Sequence, residues 1–147
     1  MPLSLSVVTA ERTILTREDV LRLVVPTTEG QITVLPSHAA LMAGIGFGEL
    51  LAVCPGETVA MAVFGGFLQV THDQVTVLAD AAERAEDINE ERAEAARERA
   101  ARRLAGQHSG PEALNLLRAR LSMERALVRL RIRRRRAATG VPSMSER

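Results

Sequence analysis

The amino-acid sequence predicts an α+β protein. An N-terminal antiparallel β-sandwich occupies residues 1–84, a C-terminal antiparallel two-helix hairpin residues 85–136, and a frayed tail residues 137–147. Three observations carry this. Short apolar runs separated by turn signals every eight to twelve residues fill the first half, the pattern of a small sandwich or barrel. Within residues 75–104 the apolar period changes from two to three-and-four. Near Gly106 the helical pattern breaks and restarts after only a few residues, which leaves room to turn a second helix back along the first.

The strands follow in order. Leu3, Leu5 and Val7 alternate with Ser4 and Ser6, as in a half-buried strand. A turn at Glu11-Arg12 precedes a short strand at 13–15, and residues 20–25 form a second apolar run stopped by Pro26 and Thr27-Thr28-Glu29-Gly30. Residues 32–35 lead to a loop at Pro36-Ser37-His38. Residues 39–48 hold Gly44, Gly46 and Gly48 and read as irregular chain crossing between strands. Strands at 50–53, 59–64 and 67–70 are punctuated by Pro55-Gly56-Glu57, Gly65-Gly66 and His72-Asp73. Val75, Val77 and Ala79 then alternate, and residues 79–86 read as the joint between the two halves.

The first helix is expected from Asp87, an N-cap whose capping box is completed by Glu90. Ala93, Ala96, Ala100 and Leu104 form its apolar stripe, with Arg92, Arg99 and Arg103 together beside it. Gly106 suits the position just past the helix, and Ser109 with Glu112 caps the next one, with Pro111 in its first turn. That second helix has two apolar stripes. Leu114, Leu117, Leu121, Val128 and Ile132 share one face, and Leu116, Met123, Leu127 and Leu130 lie roughly opposite, with Arg118, Arg125 and Arg129 between them. Two stripes suit a helix held between two surfaces, one that changes partners, or one buried in an assembly.

Composition narrows the function. Aromatic residues are 2% of the chain, with no Trp or Tyr, which argues against base-stacking nucleic-acid modules and aromatic-lined sugar sites. Cys54 is the single cysteine, so no internal disulfide forms, and it reads as a small apolar residue in or near a strand. No apolar run is long enough to span a membrane and no secretory leader pattern opens the chain, so the expectation is a protein in or facing the cytoplasm. The net charge of +1 hides an asymmetry. Residues 1–82 carry three arginines against eight acids, and residues 83–147 sixteen arginines against ten acids. Every basic side chain is Arg, a bias that genome composition explains as readily as selection for forked donors. The run Arg133, Arg134, Arg135, Arg136 reads either as a solvated helix end complementing the helix dipole, or as a site for anionic lipid or an acidic protein.

Nothing reads as an active site. There is no phosphate-binding glycine loop ending in Lys, no Ser/His/Asp set and no metal cluster, and His38, His72 and His108 are scattered. The expectation is a protein that is not an enzyme and requires no metal or cofactor. The arginines are the notable feature. Arg92 and Arg99 face one way on the first helix, and Arg125 and Arg129 share a face on the second. Brought together they call for a polyphosphate or an acidic partner; otherwise they fan into water or pair with Glu91, Glu94 and Glu98.

Several ordered segments resemble one family. They are Pro26-Thr27-Thr28-Glu29-Gly30 leading to Val34-Leu35-Pro36-Ser37-His38-Ala39-Ala40-Leu41, then Gly65-Gly66-Phe67-Leu68-Gln69-Val70, Val75-Thr76-Val77-Leu78-Ala79-Asp80 and Ile88-Asn89-Glu90-Glu91-Arg92-Ala93. Over residues 3 to about 132 the chain resembles the epsilon subunit of bacterial and chloroplast F-type ATP synthases.

The resemblance implies a sandwich of about ten strands docked on the rotor, touching the gamma subunit and the ring of c subunits. Gln31 and the Pro36-Ser37-His38 loop would face that ring, with Ser37 and Ala40 where the family usually has Gly and Pro. The hairpin would regulate: folded it permits ATP hydrolysis, and extended along gamma into the alpha/beta hexamer it blocks rotation. Inhibitory contacts would then come from Arg118, Arg125, Arg129, Arg133, Arg134, Arg135 and Arg136. Some bacterial members bind ATP as a regulatory ligand through Ile/Leu-Asp-x-x-Arg-Ala. Ile88, Arg92 and Ala93 match that motif, Asn89 replaces the aspartate, and Glu83, Arg99, Arg125 and Arg129 match further positions of the site. The implied location is the cytoplasmic face of the plasma membrane, peripheral through the complex. A second reading from the charge pattern is a free-standing adaptor whose basic hairpin binds acidic proteins or anionic lipid.

Overall fold

A computed structural model describes residues 1–106 and 112–138, with the side chains of 112–114 and 136–138 outside the description. The expected cap at Ser109 and Pro111, His108 and residues 139–147 of the expected tail lie outside the described residues. The chain divides into two compact units, Met1–Ala85 and Glu86–Arg147.

The first unit has ten strands: β1 (Leu3–Val8), β2 (Thr13–Val20), β3 (Arg22–Thr27), β4 (Gly30–Val34), β5 (Leu41–Gly44), β6 (Phe47–Cys54), β7 (Glu57–Phe64), β8 (Gly66–Thr71), β9 (Gln74–Ala79) and β10 (Ala82–Arg84). They form two five-stranded sheets, β2-β1-β9-β8-β5 and β10-β7-β6-β3-β4. Pairing is antiparallel except between β1 and β9, which run parallel from Ser4↔Gln74 to Val8↔Leu78. Alternation puts Leu3, Leu5 and Val7 of β1, Leu23 and Val25 of β3, Leu50 of β6, Met61 and Val63 of β7 and Val75 and Val77 of β9 into one core. Each large apolar side chain buried there contributes roughly 1.5–3 kcal/mol.

The expected strands at 13–15 and 20–25 are placed differently. β2 continues to Val20, and the apolar run is cut at Leu21, which turns outward between β2 and β3. The reason lies in the middle of β2. Arg17 donates Nε and Nη2 to the two oxygens of Asp19, at 2.8 and 2.7 Å, and Nη1 to Glu57 of β7 at 2.9 Å, so these charged residues extend the strand on its outer side.

Residues 39–48 are also more regular than expected, because β5 pairs with β8 and β6 already begins at Phe47. The glycines there permit close passage. A Cβ on Gly44 would sit 3.3 Å from Thr28 Cγ2, on Gly46 3.0 Å from the Thr27 carbonyl oxygen, and on Gly48 2.9 Å from Pro26 Cβ. Ala79 closes β9, and the expected joint at 79–86 contains β10, whose Ala82, Glu83 and Arg84 pair with Val63, Ala62 and Met61 along the edge of β7.

The second unit is a helical hairpin. A 3-10 turn (Ala85–Asp87) precedes α1 (Glu90–Leu104), and α2 spans Glu112–Ala138. The N-cap is Asn89 rather than the expected Asp87. Asn89 is extended at φ −90° and ψ 109°, and its Oδ1 accepts the Arg92 amide at 3.0 Å, whereas Asp87 is used up in the 3-10 turn. Gly106, at φ +101°, follows the α1 C-cap Ala105 in the left-handed conformation expected there. Arg134 Nε donates to Glu90 at 3.0 Å and its Nη2 to Glu94 at 3.1 Å, which places the end of α2 beside the start of α1 and makes the pair antiparallel. Ala93 and Ala100 of α1, and Ala119 and Ala126 of α2, are buried at seven-residue spacing, small side chains that let two helices approach closely.

Two outcomes follow. Gly66→Ala loses about 2–4 kcal/mol in denaturant unfolding, because Gly66 has φ +121° and a Cβ there would lie 2.1 Å from the Leu78 carbonyl oxygen. The second concerns acid. Hydrogen bonds from Arg97 first, and then Arg134, hold the Glu94 carboxyl below its usual range. Its folded value lies below the unfolded one, so its contribution to hairpin stability is complete above the ordinary glutamate range and is lost as pH falls through the lowered value. Helical circular dichroism during melting should show that loss in the native chain, and a smaller one in Glu94→Gln.

Candidate functional site

The expected arginine set lies on the hairpin. At about 100° per residue, Arg92 and Arg99 point to one side of α1, well away from the side of Glu90 and Glu94. Arg125 and Arg129 likewise point well away from Arg134 on α2. Because Arg134 meets Glu90 and Glu94, the flank opposite that ladder carries Arg92, Arg99, Arg125 and Arg129 together. Arg92 and Arg99 are exposed, and Arg125 and Arg129 are half-buried. Ile88 and Ala93 are buried. Glu83 lies on β10, in the first unit.

The cleft at the start of α1 is different in character. About 790 Å³ in volume, it is lined by Asp87, Ile88, Asn89, Glu90, Glu91 and Glu94 with Arg133 and Arg134. Four carboxylates face two guanidiniums there, and Arg134 is already held by Glu90 and Glu94, which repels rather than collects a phosphate. Glu90 first, and then Glu94, raises the Arg134 pKa above the usual arginine value. The motif residues Ile88 and Asn89 border this cleft, whereas the four arginines are not among its lining residues.

Of the other expected inhibitory contacts, Arg118 and Arg135 are exposed, Arg133 is half-buried, and the Arg136 side chain is outside the description. Both stripes of α2 are partly buried. Val128 and Ile132 are buried from one, Leu130 from the other, while Leu117 and Leu127 are exposed; the Leu114 side chain is outside the description.

On the sandwich, Gln31 and Ser37 are exposed and Pro36 and His38 half-buried. Ser37 has φ +66°, a left-handed conformation that favours glycine, and its amide donates to Asp73 Oδ1 at 2.6 Å. His38 Nδ1 lies 2.8 Å from the Ala39 carbonyl oxygen, a local bond with no catalytic geometry. Pro36 lines a cleft of about 330 Å³ with Met1, Pro2, Asp19, Leu21 and Pro55, and Leu21 and Leu35 are exposed nearby in the chain. Cys54 is buried at the end of β6, and burial first of all raises its thiol pKa, so it is not an activated nucleophile. Among the described residues no group of three or more His, Cys, Asp or Glu could hold a metal ion.

One surface was not singled out from the sequence. Met42, Phe67 and Leu78 are 69%, 60% and 54% exposed on three neighbouring strands, and Phe67 is the cross-strand partner of both Gly44 and Leu78. Its signal was present in the alternation: with Leu68, Val70, Val75 and Val77 inward, Phe67 and Leu78 must face out. Three large apolar side chains together on a sheet face form an exposed apolar patch.

Comparison with known proteins accounts for both units. The family model described as "ATP synthase, Delta/Epsilon chain, beta-sandwich domain" matches residues 2–85, and "ATP synthase, Delta/Epsilon chain, long alpha-helix domain" matches residues 86–133. The ATP synthase epsilon chain of Herpetosiphon aurantiacus is 41% identical over 132 residues, covering 90% of this chain and 94% of its own. That of Pelotomaculum thermopropionicum is 50% identical over 101 residues, covering 69% and 75%. Two solved chains share the fold. One, from the Euglena gracilis mitochondrial ATP synthase, has TM-score 0.72 at 24% identity over 85% of this chain and 77% of that one. The other, from the central stalk and c-ring of the Tetrahymena thermophila mitochondrial ATP synthase, has TM-score 0.65 at 10% identity over 90% and 97%. With both of its units matched and its curated relatives this similar, the chain belongs to the family of ATP synthase epsilon chains.

Proposed function

We propose that this chain is a non-catalytic subunit of the central stalk of a proton-translocating ATP synthase. It joins a gamma subunit to the ring of c subunits through the sandwich, and restrains ATP hydrolysis through the hairpin. Family membership supports the assembly, and the Euglena and Tetrahymena relatives come from such complexes. No helix among the described residues is long and apolar enough to cross a membrane, so attachment at the cytoplasmic face of the plasma membrane runs through partners. The loop at Gln31 and Pro36-Ser37-His38, with the apolar side chains of Leu21 and Leu35, is the surface for the c ring. The exposed Met42, Phe67 and Leu78 give the sandwich a second docking face, for gamma.

The observation that carries the inhibitory role is the two-sided apolar surface of α2. Val128 and Ile132 lie on one side, and Leu130 with Ala126 on the other. A helix that only closes a hairpin needs a single stripe. A second one serves a segment that repacks when it leaves α1, with Arg118, Arg125, Arg129 and Arg133, Arg134, Arg135 and Arg136 then meeting acidic surfaces of the alpha/beta hexamer. The ion pairs of Arg134 with Glu90 and Glu94 are exposed and add little to the cost of release.

ATP fits as a regulatory ligand of the closed hairpin, through the forked donors of Arg92, Arg99, Arg125 and Arg129. Asn89 weakens that site. Its Oδ1 is committed to the Arg92 amide, which leaves an amide NH₂ where an aspartate would keep a second, charged oxygen to hold the arginines in place.

Two experiments test these roles. Deleting residues 111–147 should raise ATP hydrolysis by the assembled enzyme, most clearly at low ATP, and unchanged hydrolysis would remove the inhibitory role. In isothermal titration of the isolated chain with ATP, Asn89→Asp should bind roughly tenfold more tightly, the worth of one charge-assisted hydrogen bond. Arg92→Ala should not bind; affinity unaltered by Arg92→Ala means the nucleotide does not use this flank.

A further inference from the structure

Among the described residues, those other than glycine with positive φ are Ser37 at +66°, His72 at +49° and Asp73 at +62°. His72 and Asp73 are readily explained. They form the two-residue loop between Thr71 of β8 and Gln74 of β9, where a type I′ turn requires positive φ at both positions, and His and Asp are residue types that tolerate it. Ser37 is a different case. The His38 amide donates to the Leu35 carbonyl oxygen at 3.1 Å, so Leu35-Pro36-Ser37-His38 is a β-turn. Pro36 fixes a negative φ at its second position, and the left-handed third position makes it type II, a turn that normally takes Gly where Ser37 stands.

An acceptor from a distant part of the chain meets this turn. Types I and II differ by a flip of the central peptide, here Pro36–Ser37, which sends its N–H to the opposite side. That N–H donates to Asp73 Oδ1 at 2.6 Å, a short bond to a carboxylate 36 positions away in sequence. In a type I turn the amide would leave that oxygen, so the bond favours type II alone. Asp73 is itself fixed. Its carbonyl oxygen accepts the Ser4 amide at 2.8 Å, where β1 runs beside β9, and its φ suits the hairpin loop. The carboxylate is therefore carried by the frame of the sandwich, and it reaches a turn whose own sequence does not secure its conformation.

We propose that Asp73 is a positioning residue for the docking surface at Pro36-Ser37-His38: its carboxylate selects the type II turn that presents this loop to the c ring. The proposal rests on the reading of that loop as the c-ring surface. A flip of the Pro36–Ser37 peptide would reverse the Pro36 carbonyl and turn the Ser37 side chain while the ends of the turn stay in place. None of Leu35, Pro36, Ser37 and His38 belongs to the core of the sandwich. The change would therefore fall on the docking surface and leave the packing beneath it as it is.

The test is NMR of the full-length chain together with its titration against the detergent-solubilised c ring. In a type II turn the Pro36 Hα lies close to the Ser37 amide proton and gives a strong nuclear Overhauser signal, which weakens in type I. Asp73→Gly removes the carboxylate and still suits φ +62°, so the β8–β9 turn is kept. It should weaken that signal and lower c-ring affinity by roughly five- to thirtyfold, the population penalty of an unsupported left-handed residue. Asp73→Asn keeps an acceptor oxygen and tolerates the same φ, and should recover both. Adding Ser37→Gly to Asp73→Gly should also recover both, because glycine holds a type II turn unaided. A role for Asp73 in stability alone predicts no such recovery. The proposal is overturned if the signal stays strong in Asp73→Gly, if Asp73→Asn is as weak as Asp73→Gly, or if the double variant stays as weak as Asp73→Gly. Leu35→Glu checks the reading beneath it. If neither that charge beside the turn nor Asp73→Gly alters c-ring affinity while the signal responds as expected, the loop does not face the c ring; that reading falls, and the hold of Asp73 on the turn stands.

Discussion

The first unit depends on the phase of its strands. Side chains alternate between the faces of a sheet, so one residue of slip would carry Leu5, Val7, Leu23, Leu50, Met61, Val75 and Val77 out of the core together. Eight consecutive pairs between β6 and β7, from Phe47↔Phe64 to Cys54↔Glu57, lock that phase at the centre of one sheet. The surfaces inherit it. Phe67 and Leu78 face outward because Leu68 and Val77 face inward, so the exposed apolar face is a consequence of core register. The loop at Ser37 is tied to the same frame, held in its left-handed conformation by a carboxylate from the β8–β9 turn.

The hairpin rests on weaker and more local forces. Its buried side chains are few and small on α1, where Ala93 and Ala100 are the buried positions, and the ion pairs that close its far end are exposed. Exposed pairs contribute little and are screened by salt. The sandwich rests on a large aliphatic core, whereas α1 gives the hairpin only small buried side chains and α2 supplies the larger ones, Val128, Leu130 and Ile132. α2 buries side chains on two sides, Val128 and Ile132 on one and Leu130 with Ala126 on the other.

Charge is organised just as unevenly. Nearly all the arginines lie beyond residue 82, and on the hairpin Arg97 and Arg134 are bonded to Glu90 and Glu94. The Arg134 contacts join the end of α2 to the start of α1 and so set the register of the hairpin. Asn89 caps α1 and so positions the Arg92 backbone.

The sequence by itself determined the class of each half. Period-two alternation in Leu3, Leu5 and Val7 and in Val75, Val77 and Ala79, and a three-and-four period from Ala93 to Leu104, are local properties that need no partner to be visible. The family motifs were legible for the same reason, since they are contiguous. Three matters were decided only by tertiary contacts. Gly44, Gly46 and Gly48 read as loop in isolation, yet they form or flank strands because Thr27, Thr28 and Pro26 pass too close for a side chain. β10 looked like linker until the edge of β7 offered it hydrogen bonds. Asp87 and Asn89 are both good caps by residue type. The choice of Asn89 was made by the 3-10 turn that follows β10 and consumes Asp87, because a cap must be extended where the helix begins, and the preceding chain decides which residue is.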